Sequence, residues 1–299
     1  MKNSKIGNLP LIGFSSLLMF SVALTACSNV DEAERLVAVN TVYVDTIATE
    51  EPDTTEVIDL FASVPRHVLI EDFTGQDCVN CPNATDLITQ LQEMNGGHNN
   101  VVAVGIHSGP LGVKPSKNPQ GLATDLGDTY YNYWKIEMQP YGVIDRSDGT
   151  LSTEWWSAKV SWDLYEDEAK TVRRSVPVNI WVKAEQTDNS KVDVEVQLAG
   201  LETTSAKLQL WVVEDNIVAF QKMPDGSTNP NYQHNHVLRD AVNGAWGEDF
   251  TVSKDQVTTI NHVLTLNNVW KPADLSIVAF VYNDDGVVQV VRQAIKIKD

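Results

Sequence analysis

A chain of 299 residues with 42% hydrophobic content, 21% charged content and eight tryptophans reads as folded protein, which excludes a fibrous or wholly disordered chain. Its length exceeds the usual size of one domain, so two domains of roughly 100 to 150 residues are expected, each able to bury a core. The formal net charge of -18, with no Lys/Arg cluster as a local exception, repels phosphate backbones and excludes nucleic acid as a partner.

Residues Met1 to Ala26 read as a leader, with Lys2 and Lys5 as a basic start and Leu11 to Ala23 as an apolar stretch too short for a comfortable membrane span. Its end, Leu24-Thr25-Ala26-Cys27, resembles the bacterial lipobox, in which small residues admit a peptidase and the Cys thiol receives a diacylglyceryl group. Residues 1–26 are therefore expected to be a lipoprotein signal peptide and Cys27 the site of lipid attachment. Losing Lys2 and Lys5 with the leader takes the net charge from -18 to -20. Several acyl chains on one Cys, at about 0.8 kcal/mol per buried CH₂, hold a protein on a membrane stably. The chain is then expected outside the cytoplasm, where disulfides persist.

Residues 27–63 read as an acidic tether, carrying Asp31-Glu32, Glu34, Glu50-Glu51 and Asp53 without an apolar period. The acidic pair after Cys27 resembles a surface-export signal, and Asp45-Thr46-Ile47 and Asp53-Thr54-Thr55 resemble bacterial O-glycosylation sites, although linkers contain such strings anyway.

His67 to Phe73 is a short apolar run of strand type, followed by the turn Thr74-Gly75-Gln76-Asp77 and the pair Cys78-Val79-Asn80-Cys81. Ala84, Leu87, Ile88, Leu91 and Met94 then recur at helical spacing up to Gly96-Gly97, a fitting helix end. Val101 to Ile106 is a continuous apolar run suited to a parallel strand buried on both faces, so the opening predicts strand, helix, strand with a right-handed crossover. Ser108 to Gln120 reads as a long loop, Leu122 to Ile136 as a second helix, Tyr141 to Asp145 as a strand, Asp145 to Gly149 as a turn, and Thr153 to Arg173 as a third helix.

From Val176 the texture changes to alternating strands, VNIWVKAE, KVDVEVQL, KLQLWVVE, TINHVLTL, LSIVAFVYN and VVQVVRQAIKI, separated by turn residues. Six or seven strands of this spacing predict an antiparallel sandwich of immunoglobulin size. The boundary falls near Ser175, giving a first folded domain over 64–174 and a β-sandwich domain over 175–299.

With Cys27 assigned to lipid, Cys78 and Cys81 are left to pair. At a helix start, the unpaired N–H groups and the positive end of the dipole favour a thiolate, which makes Cys78 the attacking sulfur and Cys81 the resolving one. Asp77 beside Cys78 would oppose that thiolate. A redox centre, a static crosslink and half of a metal site are the readings of the pair, and zinc would need two further ligands. Sulfurs sealed from solvent, or too far apart to join, would collapse the exchange reading and leave an acylated scaffold.

These residues resemble the thioredoxin superfamily. Asp72-Phe73 stand where thioredoxins carry an Asp-Phe pair on the strand leading to the active site, and Gln139-Pro140 resembles the loop whose cis-proline faces the disulfide. The resemblance implies an α/β thioredoxin-like domain, with Asp72 as a buried carboxylate that exchanges the proton of Cys81. It also implies that Pro140 helps to hold the backbone of a client peptide. The chain departs from the family in lacking a Trp before Cys78 and a Gly-Pro between the cysteines.

A wider match resembles the bacterial lipoproteins related to the 28-kilodalton outer membrane protein. It rests on the lipobox, Glu71-Asp72-Phe73-Thr74-Gly75, Cys78-Val79-Asn80-Cys81-Pro82, Ile106-His107, Gly142-Val143-Ile144-Asp145-Arg146 and His234-Asn235-His236-Val237-Leu238-Arg239. It implies an outer-membrane lipoprotein of the cell envelope, in which a thioredoxin-like domain precedes a β domain.

Other candidates have plain readings beside the sharp ones. His234 and His236 share a face if extended, a metal-like spacing that two ligands alone do not complete. His107 ends a strand where catalytic groups collect in α/β folds, but is more simply a loop residue. Trp155, Trp156, Trp162 and Tyr165 could line a carbohydrate or peptide surface, or pack internally. Asp284-Asp285-Gly286 lacks later calcium ligands and reads as a hairpin turn.

The sequence thus predicts a lipoprotein held on the outer membrane through Cys27, with a thioredoxin-like domain and then an immunoglobulin-like sandwich. Cys78, Cys81, Asp72 and Pro140 would exchange disulfides with a thiol-bearing client protein or peptide, without cofactor, metal or nucleic acid. The rival is a surface binding or adhesion lipoprotein in which Cys78–Cys81 is structural, since fold does not establish activity.

Overall fold

The computed structural model describes residues 59–146 and 176–298. The leader, Cys27, the tether up to residue 58, and the expected helix Thr153 to Arg173 with its four aromatics lie outside the described residues.

The opening forms as its pattern dictates. Strand β1 (Val68–Thr74) leads through the cysteine turn into helix α1 (Cys81–Met94), and strand β2 (Val101–His107) returns parallel to β1. Ala84, Ile88 and Leu91 place one face of α1 on Val68, Ile70, Val101, Ala103 and Ile144. Pro82 sits in the first turn, where no N–H partner is needed, and Gly97 N–H closes the far end by donating to the Gln92 carbonyl. Helix α2 (Asp125–Tyr133) is shorter than its apolar pattern suggested and begins where the Thr124 hydroxyl accepts from Gly127 N–H at 2.9 Å. Strand β3 (Tyr141–Ile144) pairs antiparallel with β1.

The later strands are β4 (Val178–Asp188), β5 (Lys191–Gly200), β6 (Thr204–Glu214), β7 (Ile217–Lys222), β8 (Thr228–His234), β9 (Val237–Ala241), β10 (Glu248–Val252), β11 (Val257–Thr265), β12 (Leu275–Asn283) and β13 (Gly286–Ala294). One eight-stranded sheet runs β13-β12-β6-β9-β2-β1-β3, with β10 also on β6; β11-β5-β4 form a second sheet and β7-β8 a hairpin.

This corrects the expected fold class. The described residues do not build a thioredoxin-like α/β domain followed by a self-contained immunoglobulin-like sandwich; they build a mainly β structure in which both halves share one mixed sheet. The join is at Gly105 and Val237, where β2 and β9 pair in parallel. The free edge of β2 is covered by a strand from far along the chain, not by a local helix-strand repeat. Only the sandwich packing has a counterpart: Val182, Val194, Val196 and Leu198 of the small sheet bury against Leu210, Val212, Ile277 and Ala279 of the large one.

The opposite face of the large sheet holds Phe73, Val104, Ile106, Tyr130, Trp211 and Phe280, all fully buried. Each such side chain contributes on the order of 1.5–3 kcal/mol through burial. The indole N–H of Trp211 donates to the Tyr130 hydroxyl at 2.8 Å, and that hydroxyl donates to the Ala245 carbonyl. Arg146 lies over five aromatic rings here and donates through Nε to Glu71 Oε1 at 3.1 Å, so the buried guanidinium is paired and π-stacked.

Candidate functional site

The turn that carries the cysteines is held from two sides. Gly75 passes so close to the Leu111 carbonyl that a Cβ there would sit 2.3 Å from its oxygen, and Asp77 N–H donates to that same carbonyl at 3.0 Å. Gln76, fully buried, donates to the carbonyls of Gln120 and Phe220 and accepts from Leu122 N–H, tying the Ser108 to Gln120 loop and β7 to the turn. From β7, the Gln221 amide donates to the carbonyls of Gly75 (3.2 Å) and Cys78 (2.9 Å), and Lys222 N–H donates to the Gln76 carbonyl.

Cys78 and Cys81 form a disulfide with Cα atoms 5.4 Å apart. The helix starts at Cys81, with Asn80 as its N-cap, so Cys78 stands just before the first turn and not within it. Both cysteines are 2% exposed, while Val79 between them is 40% exposed. The condition that Cys78 be open to solvent is not met in this conformation. Asp77, expected to burden the thiolate, is paired with Lys222 at 3.0 Å, which offsets part of its charge.

Asp72 lies on β1 between Gly105 of β2 and Gly142 of β3, buried on both sides. Its carboxyl and Cys81 line the same cavity of about 30 Å³. Oδ1 has no hydrogen bond to any protein atom, and burial pushes the carboxyl up to about 7 from its ordinary 3.8. The Gln139–Pro140 peptide is cis. Because β3 pairs Tyr141 with Phe73, Pro140 follows on beside Thr74, and the Gln139 amide donates to the carbonyls of Thr74 (2.7 Å) and Ser108 (3.0 Å). The structure therefore sets Asp72, Cys81 and the Gln139–Pro140 loop around one end of β1. Pro140 itself is buried.

The cavity also gathers two histidines that sequence reasoning left apart. His107 at the end of β2 and His234 at the end of β8 meet edge to face with centroids 5.2 Å apart. Burial holds both below the ordinary histidine range, His234 at about 4. His236 also lines this cavity, and its backbone N–H donates to Asp215 at 2.7 Å. The only sequence signal was that Ile106-His107 and His234-Asn235-His236 both stand out as motifs; nothing local says that they meet. Asp284-Asp285-Gly286 forms the turn between β12 and β13, as its pattern suggests. A larger opening of about 870 Å³ is lined by Tyr133, Trp134, Arg146, Trp246 and Tyr282, and neither cysteine lines it.

Comparison with known proteins gives three findings. A family model described as outer membrane protein Omp28 matches residues 127–299. The solved structure of HBP35 of Porphyromonas gingivalis is similar in fold, with a TM-score of 0.62 and 16% identity over 78% of this chain and 76% of that one. A domain of the outer membrane lipoprotein Omp28 from Porphyromonas gingivalis is 29% identical over 42% of this chain and 92% of that one, at a TM-score of 0.32. Among curated proteins nothing matches.

Proposed function

The chain belongs to the Omp28 family of outer membrane proteins, which places it in the bacterial cell envelope at the outer membrane, and on that premise we propose that it exchanges disulfides with envelope thiols while anchored through an acylated Cys27. The observation that carries the reading is Asp72. A static crosslink needs no carboxyl beside it, yet here an acid whose Oδ1 has no hydrogen bond to protein lines one small cavity with Cys81 and holds its proton to about pH 7. Such an acid costs stability and is found where a proton has to move.

In the exchange, a client thiolate attacks Cys78 Sγ, the Cys78–Cys81 bond breaks, and Cys81 leaves with the electron pair and takes the proton of Asp72. The client's second thiol gives its proton to the Asp72 carboxylate and attacks the client sulfur of the mixed disulfide, releasing Cys78 as a thiolate that takes a proton from water. Two electrons and two protons pass from the client dithiol to the cysteine pair, and the reverse sequence oxidises the pair. The backbone beside cis-Pro140 would hold the client strand. Access requires β7 to part from the turn, because Gln221 and Lys222 bind it and both sulfurs are covered.

A second reading is favoured by that cover: a binding or adhesion lipoprotein whose disulfide is structural. The reduction potential of the pair separates the two. Exchange predicts a value above roughly -300 mV, whereas a value far below it marks an inert bond. Metabolic labelling with a fatty acid, lost in Cys27→Ser, tests the anchor.

A further inference from the structure

Three buried polar atoms on residues around the 30 Å³ cavity lack a hydrogen bond to any protein group: Asp72 Oδ1, His107 Nδ1 and His234 Nε2. An orphaned buried polar atom costs about 1–3 kcal/mol, so three around one small space is an arrangement that folds keep for a reason. The volume exceeds the roughly 10–15 Å³ that one water needs, and the trio supplies the two to four polar partners that hold a water in place. The two rings touch, and His234 is also stacked by Tyr232 at 4.8 Å.

We infer that this cavity is a water-bridged proton store for the disulfide, in which His107 and His234 are positioning residues that govern when Asp72 gives a proton to Cys81 and takes one back. The inference rests on the exchange reading and deepens it. An uncharged imidazole carries a donor on one nitrogen and an acceptor on the other, and because His234 Nδ1 is bonded to the Phe220 backbone its Nε2 is left as an acceptor toward the cavity. When a client thiolate breaks the disulfide, Cys81 takes the carboxyl proton. Until the client's second thiol returns a proton to Asp72, the carboxylate is held by the bridging water, which donates one hydrogen to it and the other to the acceptor nitrogen of a histidine. His236 offers the way out, since it lines both this cavity and the surface groove that contains His98, Asp215 and Arg292.

The groups facing the trio fit uncharged histidines. Arg239 of β9 and the His234 ring both oppose charge on His107, and burial opposes it on His234, whose hydrogen bond to the Phe220 backbone acts the other way. Tyr232 of β8 feels the charges of Asp72 and of Asp86 on α1. Near His236, Arg292 and Asp215 neutralise each other as an ion pair.

The test uses the oxidised full-length lipoprotein in detergent, with Asp72 followed by carboxyl ¹³C resonance. His107→Leu and His234→Leu remove the bridging partners, and His107→Gln and His234→Gln restore a polar one. The Leu variants are expected to raise the Asp72 midpoint by about one pH unit, a ten-fold change in proton affinity, and the Gln variants to return it toward the wild-type value. The pH profile of disulfide reduction by dithiothreitol should move with it. A midpoint unchanged in both Leu variants overturns the inference. Should they fail to fold, the wild type decides: the ring resonances of His107 and His234 must shift at the Asp72 midpoint, and rings that ignore it refute the link. A wild-type disulfide inert to dithiothreitol at every pH sinks the exchange reading, while the Asp72 midpoint still reports on the store.

Discussion

Replacing Asp72 by Asn should make the protein more stable than the wild type at alkaline pH and leave the two nearly equal in acid. The folded carboxyl titrates near 7 and the unfolded one near 3.8. Between those values the folded state binds more protons than the unfolded state, so the contribution of this group is complete below pH 3.8 and is lost as pH rises through 7. A displacement of about three pH units at 1.36 kcal/mol each gives a loss of about 4 kcal/mol, an upper figure because buried sites relax. Urea unfolding of both proteins at intervals from about pH 4 to pH 8.5 measures it. The difference between them, Asp72→Asn minus wild type, isolates this group from Glu71, His107 and His234, which burial also shifts. The difference should climb by several kcal/mol across that range and level off above pH 8. A flat difference would show that Asp72 is ionised or solvated in the folded protein, and the reasoning on its proton would fail.

Arg146→Met should destabilise by about 3–5 kcal/mol in urea unfolding, since it strands a fully buried Glu71, and the double change Arg146→Met with Glu71→Gln should recover much of that loss. Gln221→Ala removes two of the hydrogen bonds between β7 and the cysteine turn and keeps those of Lys222 and Phe220. Dithiothreitol should then reduce the disulfide several-fold faster, and an unchanged rate would show that β7 does not gate it. Gly75→Ala places a Cβ against the Leu111 carbonyl and should cost at least about 1–3 kcal/mol by thermal or urea unfolding, unlike Gly105→Ala, whose Cβ would meet only ordinary contacts at 3.7–4.0 Å.

Much of the local structure was legible because it is written locally. The apolar periods of residues 68–94, Pro82 at a helix start, and the alternation in β4, β5, β6, β12 and β13 each set an element without help from elsewhere. Strands β7 and β8 were missed because their burial alternates weakly and β8, TNPNYQH, is mostly polar; their order comes from pairing with each other and from Gln76, Gln221 and Lys222 at the turn. The fold class went wrong at a non-local contact, Gly105 against Val237, which has no sequence signature on either side. The site divides in the same way. Cys78, Cys81, Asp72 and Pro140 are candidates that spacing and resemblance single out, but the partnering of Asp77 with Lys222 and the meeting of His107 with His234 depend on chain closure over long separations. The burial of both cysteines could not be read from their motif, because the turn that carries them is bound by β7 from far along the chain.

Chemical reactivity in the envelope tests the central claim most directly. With Cys81→Ala, Cys78 keeps its thiol and cannot resolve a mixed disulfide, so cells carrying this variant should accumulate covalent, reductant-sensitive adducts with envelope proteins through Cys78. Adducts that appear in Cys81→Ala and vanish in Cys78→Ala/Cys81→Ala support thiol exchange. A soluble, folded Cys81→Ala lipoprotein that forms none, with Cys78 unreactive toward alkylating agents, would leave the pair as a structural crosslink.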